Sequence, residues 1–370
     1  MIQVNEPLLN DKALTYLEEC IRTGWISSDG RFVREFENSW AAYCGMNFGV
    51  AMSSGTTALE AAVACLGLKP SAEVIMPTFT IISCALAIIK AGAAPVLVDS
   101  DPRTWCLDVG QVEAKITPRT RALMPVHMYG HPADMDPLKE LAAKYDLFIV
   151  EDAAEAHGAE YKNQKVGGIG DLSCFSFYAN KIITCGEGGM VLARRADHAE
   201  HLRSLRNLCF RQDRRFYHTE MGSNFRLTNL QAAVGLSQVE RIEEHVARKR
   251  WIGQSYNERL SGLPQLILPS EEPWAKSVYW MYGILLTDEV PFDATEFARR
   301  LKQEEVDTRP FFLGMHAQPV FQAQGLFVGE QYPVADFLAS RGLYLPSGLT
   351  LTEAQIEAVC WAVTKVLEKR

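Results

Sequence analysis

Short strand-like runs alternate with helix-like runs through the first half of this chain, and few folds accommodate that order. Residues 73–77, 94–99, 121–127 and 147–152 read as short strands, the last a β-rich apolar run ending in acid, whereas 57–66, which is alanine-rich, 83–91 and 137–145 read as helices. Residues 174–177 and 189–193 read as two more strands. Strands separated by helices need crossover connections, so the pattern predicts an α/β fold with a mostly parallel sheet covered by helices on both faces. Such sheets bind ligands beyond the carboxyl ends of their strands, and Asp99, His127 and Asp152 fall at such ends. From 228 to about 256 the pattern is one long helix, densely charged over 240–250. After Pro264, Pro269 and Pro273 a strand over 278–286 and helices over 294–302 and 353–367 follow. A chain of 370 residues exceeds one ordinary core. The expected division is a large domain over 1–245 and a smaller C-terminal α/β domain over 246–370, with the N-terminal segment packed on the small domain.

Composition removes several classes of function. The net charge is −8 and there is no long basic run, which argues against a nucleic-acid partner. The nine cysteines are scattered and form no C-x-x-C pair, which suits reduced thiols in the cytoplasm rather than a disulfide framework or a zinc site. The longest apolar stretch, 81–89, is too short to span a bilayer. The first residues lack the basic-then-apolar order of a signal peptide. His198 and His201 read as a solvated helix face, so no metal is expected.

The chemistry gathers around Lys181, a lone lysine between the aromatic run Phe175-Ser176-Phe177-Tyr178 and the glycine-rich turn Gly186-Glu187-Gly188-Gly189. Apolar surroundings disfavour an ammonium and leave a usable amine nucleophile, although most lysines beside loops are solvated charges. Ser53-Ser54-Gly55-Thr56-Thr57 precedes the alanine-rich helix; its amides and hydroxyls suit a phosphate, or serve as a plain N-cap. No Gly-Lys-Ser/Thr follows, so it is not a nucleotide P-loop. Glu151-Asp152-Ala153-Ala154-Glu155 puts carboxylates at the end of a buried strand, fit for a cation, a protonated ring nitrogen or a helix cap. Pyridoxal phosphate needs a lysine for its aldehyde, an acid beside its ring nitrogen and a cup for its phosphate, and these parts fit it.

With these motifs the chain resembles the DegT/DnrJ/EryC/StrS sugar aminotransferases, which have the fold-type-I pyridoxal-phosphate architecture. The resemblance covers nearly the whole chain. It rests on Gly24-Trp25-Ile26-Ser27-Ser28, Ser54-Gly55-Thr56-Thr57-Ala58-Leu59, Pro125-Val126-His127-Met128-Tyr129-Gly130, Glu151-Asp152-Ala153-Ala154-Glu155, Phe175-Ser176-Phe177 with Lys181, Gly186-Glu187-Gly188-Gly189, and Asn224-Phe225-Arg226 with Thr228-Asn229. It implies that Lys181 joins the cofactor and shuttles protons and that Asp152 pairs with the ring nitrogen. Ser54, Gly55, Thr56 and Ser176 would hold the phosphate. Asn224 would reach that phosphate from a second subunit, making a homodimer part of the site. Glu155 stands where relatives often have Gln or His, near the ring hydroxyl. The implied reaction moves an amino group from L-glutamate, leaving 2-oxoglutarate, to a nucleotide-linked keto sugar. C4 of GDP-4-keto-6-deoxymannose is the expected acceptor, for O-antigen or other polysaccharide synthesis. Other dTDP- or UDP-linked keto sugars are the alternative substrates, and a non-catalytic regulatory protein on the same fold is the alternative class. Relatives that remove a hydroxyl instead carry histidine at the lysine position.

One departure stands out. Relatives place an aromatic ring on the cofactor from the position of Ile81, so either Ile81 covers the ring or Phe79 does so through a shifted loop. Candidate substrate residues are Trp25, Ser27, Arg226, Arg309 and His316. Arg211, Arg214 and Arg215 form a basic patch that is either solvated or a diphosphate contact.

Overall fold

The computed structural model describes residues 1–211 and 213–368. Seven strands form the main sheet: β1 (Phe48–Met52), β2 (Glu73–Pro77), β3 (Ala94–Val98), β4 (Thr120–Leu123), β5 (Phe148–Asp152), β6 (Leu172–Ser176) and β7 (Gly189–Ala193). Their order is β1-β7-β6-β5-β4-β2-β3. β7 runs antiparallel to both β1 and β6, and the neighbours from β6 to β3 are parallel. β2, β6 and β7 are buried along their whole length, as a sheet covered on both faces requires.

The covering helices include α1 (Asp11–Thr23), α2 (Arg31–Cys44), α3 (Gly55–Cys65), α4 (Ser83–Lys90), α5 (Met135–Tyr145), α6 (Ala196–Arg206), α7 (Asn229–Val239) and α8 (Ile242–Leu260). α3 lies on β6 and β7, which sets its N-terminus beside the carboxyl end of β6. Ser54 caps it, accepting from the Thr57 N–H while the Thr57 hydroxyl accepts from the Ser54 N–H. α7 starts with the same device, built from Thr228 and Gln231.

A second sheet of β8 (Leu266–Ile267), β9 (Tyr282–Leu286), β10 (Arg309–Pro310) and β11 (Gly342–Leu345) is antiparallel in the order β8-β9-β11-β10. Helices Ala294–Gln303 and Glu353–Glu368 pack with it around its own core of Phe297, Leu301, Ile356 and Val363. Val4 accepts from the Ser347 N–H, and Ile2 bridges Val306, so the first residues run along this unit. α8 joins the two cores: Val246 belongs to the first, and Ile252, Tyr256 and Leu260 to the second.

Three expectations need correction. The long helix over 228–256 is two helices, because Arg241 leaves helical geometry (φ −122°, ψ 16°). Glu240 turns to Lys12 and Tyr16 of α1, while Glu243 turns to Tyr43 and Lys165. The strand over 121–127 stops at Leu123, before Pro125, and Tyr129 and Gly130 turn the chain with φ of 49° and 101°. The strand over 278–286 begins only at Tyr282; the aromatic residues before it form a loop, with Tyr279 at φ 46°.

Candidate active site

β5 ends in two acids that point apart, as successive residues on a strand must. Glu151 faces the interior behind the sheet. Its carboxylate accepts from the Gly167, Ile169 and Gly170 N–H groups and the Ser173 hydroxyl, and its Oε2 lies 3.0 Å from His127 Nε2. His127 Nδ1 accepts from the Ala133 N–H. This pair is a structural hub. Asp152 faces the other way and is 2 % exposed. Its oxygens accept only the Ala154 N–H at 3.0 Å and the Cys84 thiol at 2.9 Å, and it has no ion pair among the described residues. Burying a carboxylate with no cation in contact is costly, so Asp152 is suited to hold a positively charged group, and the Lys181 amine already lies near enough to feel its charge.

The Cys84 contact brings the start of α4 to Asp152, and the rest of the cup follows from it. Ser83 shares a 2.9 Å hydrogen bond with the Thr56 hydroxyl at the start of α3. Gly55 lies against Ser176 at the end of β6, where an added Cβ would sit 2.6 Å from the Ser176 Cβ. Gly189 approaches Ser54 as closely, 2.1 Å from its carbonyl oxygen to a built Cβ. The N–H groups of Gly55 and Thr56 have no hydrogen-bond partner among the described residues. Two free amides at a helix N-terminus, with the hydroxyls of Ser54, Thr56 and Ser176, make an anion cradle.

Lys181 lies in the hairpin between β6 and β7, tied by Phe177 N–H to Gly188 O and by its own N–H to Tyr178 O. Its side chain is half-buried. Nζ makes no hydrogen bond or ion pair among the described residues; it lies 3.6 Å from the centroid of the Trp280 ring. Burial holds its pKa below the usual lysine value, while Glu155 and Asp152 push the other way. Glu155, 5 % exposed, is raised to about 7 by burial, against the pull of Lys181 and of the Tyr129 N–H that it accepts at 2.9 Å. His157 is lowered to about 3, first by burial and then by Lys181. The end of β5 thus gathers an amine and two acids of different character, and the start of α3 is tied to the same place through Ser83 and Cys84.

The other predicted residues are placed as follows. Phe79 is fully buried among Tyr129, Phe311 and Phe312, whereas Ile81 is 40 % exposed at the start of α4. His316 is buried with both ring nitrogens engaged, one 2.8 Å from the Thr78 hydroxyl and one 3.0 Å from Asp336. Arg309, paired with Asp307, lines a pocket of about 270 Å3 with Tyr178, Asn180 and Tyr344, beside Lys181. Asn224 is exposed. Trp25 is exposed, and its carbonyl accepts from the Asn229 side chain. Ser27 and Arg226 line a cleft of about 860 Å3 together with Arg203, Arg206, Arg211 and Arg215. Glu37 pairs with Arg206 and Asp213 with Arg211, and Arg203, Arg215 and Arg226 have no carboxylate partner among the described residues. His198 is a correction: it is buried against Phe148, and only His201, paired with Glu220, stays near the surface.

Sequence reasoning missed Cys84 and Trp280. Neither carries a local signal; each reaches the site from a segment distant in sequence. Among the described residues no group of three or more His, Cys, Asp or Glu could hold a metal ion. No helix there is long and apolar enough to cross a membrane. All nine cysteines are free and buried.

Residues 7–364 match the DegT/DnrJ/EryC1/StrS aminotransferase family. The chain is 41% identical over 367 residues to GDP-perosamine synthase of Caulobacter vibrioides, covering 99% of this chain and 98% of that protein. It is 38% identical over 336 residues to dTDP-3-amino-3,4,6-trideoxy-alpha-D-glucose transaminase of Streptomyces venezuelae, covering 90% and 86%. The fold superposes on a crystal structure of S. venezuelae DesV in complex with a ketimine intermediate, with a TM-score of 0.91, 34% identity and complete coverage of both chains.

Proposed function

We propose, from the premise that this chain belongs to the DegT/DnrJ/EryC1/StrS aminotransferase family, that it transfers the amino group of L-glutamate to C4 of GDP-4-keto-6-deoxymannose and so makes GDP-perosamine. The single observation that carries the chemistry is a Lys181 amine without an ion pair, near enough to the buried carboxylate of Asp152 to feel its charge. The full-length identity to a GDP-perosamine synthase supports the substrate, being both higher and longer than that to the dTDP-sugar transaminase.

The residues present fit pyridoxal phosphate. The cradle at Ser54, Gly55, Thr56 and Ser176 offers two unpartnered amides to a phosphate, and Asp152 lacks the cation that a protonated ring nitrogen would provide. Glu155, with its raised pKa, would share a proton with the ring hydroxyl. Ile81 would cover the ring face, since Phe79 is committed to its own aromatic cluster. Asn224 of a second copy would complete the phosphate cup, so the working unit is a homodimer. The arginine-lined cleft would then serve the diphosphate of the sugar nucleotide across that interface.

When bound, the cofactor supplies an electron sink that lets a C–H bond beside nitrogen ionise. Lys181 does the proton work on either side of that event. Its Nζ would take the proton from Cα of glutamate and pass it to the cofactor, and in the second half-reaction it would take a proton back and deliver it to C4 of the sugar. A depressed pKa suits it to this, because more of the amine is free near neutrality. Trp280 and Tyr129, both buried, would help keep water from that proton transfer. Lysine at this position favours amino transfer over removal of a hydroxyl.

Purified protein given glutamate should aminate GDP-4-keto-6-deoxymannose in preference to dTDP- and UDP-linked 4-keto and 3-keto sugars, with the product read by mass and NMR. Amination of a dTDP-linked 3-keto sugar alone would move the substrate to the second reading. No amination of any of them, with no cofactor bound, would leave the non-catalytic alternative.

A further inference from the structure

We propose that the indole of Trp280 is the seat of the Lys181 ammonium whenever that group is not joined to the cofactor, so that Trp280 is a positioning residue setting when Lys181 carries its proton. The inference rests on the aminotransferase reading above for the role of Lys181. Its own warrant is geometric. Nζ lies 3.6 Å from the indole centroid, well inside cation–π range, and has no other direct partner among the described residues.

The indole is fixed rather than incidental. It is 3 % exposed. Its Nε1–H donates to the carbonyl of Asn180, the residue before Lys181, at 2.8 Å. Its own carbonyl accepts from Nζ of the buried Lys249 at 2.6 Å, and Lys249 also donates to the Ser347 carbonyl. Gly130 leaves room for the Trp280 backbone: a Cβ there would lie 2.8 Å from the Trp280 nitrogen. A tryptophan held by its ring N–H and by its backbone carbonyl presents its face to the Lys181 amine. The charged and titratable groups facing that amine are Asp152 and Glu155 at the end of β5 and His157 beyond them, the last kept neutral by burial.

A ring face stabilises the ammonium form, so removing it must lower the pH at which Lys181 gives up its proton. The test uses cofactor-free protein and pyridoxal phosphate as probe. Nζ adds to the aldehyde carbon, a C–N bond forms, and the carbonyl oxygen leaves as water with both amine protons. The coloured product reports the rate, and borohydride reduction with mass spectrometry assigns it to Lys181. Plotted against pH, that rate has a midpoint set by the amine. Trp280→Leu should move the midpoint down by about 0.5–1 pH unit, and Trp280→Phe, with a weaker ring, down by less. Below the native midpoint the Leu variant should therefore capture the probe a few-fold faster. Unchanged or raised midpoints in both variants would overturn the proposal. Should the Leu variant not fold, the Phe variant decides alone by the same criterion. Native protein that never captures the probe at Lys181 would instead overturn the aminotransferase reading, and this inference with it.

Discussion

At the scale of single residues, the site is a set of groups denied their usual partners. Asp152 is buried without a cation, Lys181 is without a carboxylate in contact, and Gly55 and Thr56 have unused amides. On the proposed function each deficit is where a part of the cofactor would be held. Lys181→Ala should therefore cost at least ~10²–10⁴-fold in turnover, the range for loss of a positioned proton carrier, while single-turnover assays should still show substrate binding. Asp152→Asn should keep the fold, since an amide has the same shape, but lose the charge that a protonated ring needs. Its glutamate half-reaction should slow by ~10²-fold or more, measured by rapid-mixing absorbance. The strands and the glycine turn that carry Asp152 and Lys181 were legible in the sequence because their signals are local. Trp280 and Cys84 were not, because tertiary contacts alone give them a role. His198 misled because three-residue spacing of histidines on a charged helix says nothing about which face the sheet covers.

At the scale of elements, α3 and α8 carry the most consequence. Gly55→Ala would drive a Cβ into Ser176 and push the start of α3 off β6. Overpacking of this kind costs about 1–3 kcal/mol, and cofactor affinity should fall about tenfold or more by equilibrium dialysis. α8 carries Lys249, 1 % exposed, whose pKa burial lowers to about 7. In the unfolded chain that lysine keeps its proton to about 10.4. Between those values the unfolded state binds more protons, so stability rises as pH increases from about 7 to 10. Lys249→Met should abolish that rise, worth about 2–4 kcal/mol, in urea titrations across the range. Most strands and helices of the main sheet could be read from alternation and glycine or proline punctuation. The break at Arg241 could not. The residues on both sides of it are good helix formers, and the kink follows from Glu240 and Glu243 seeking partners on different helices.

At the scale of the whole molecule, a set of exposed apolar side chains lies near the residues proposed to complete the site from a second copy. Met221 is 94 % and Phe216 75 % exposed, close in sequence to Asn224 and Arg226. A second copy covering this region would bury them and deliver Asn224 to the partner's cradle. Mixing Lys181→Ala with Asn224→Ala subunits should then restore activity that neither has alone. With random pairing one site in roughly four is intact, giving roughly a quarter of native activity. An additive outcome with no recovery would place Asn224 in its own subunit's site or outside any. The one antiparallel strand of the main sheet, β7, bears on how such a site comes to exist. Because β7 returns directly beside β6, the loop carrying Lys181 is closed by neighbours in the chain, whereas every parallel pairing must wait for a long crossover. Closing a short loop sacrifices little chain entropy. The amine's scaffold is therefore expected to pair early, and to be made stable only as the crossovers complete the sheet around it.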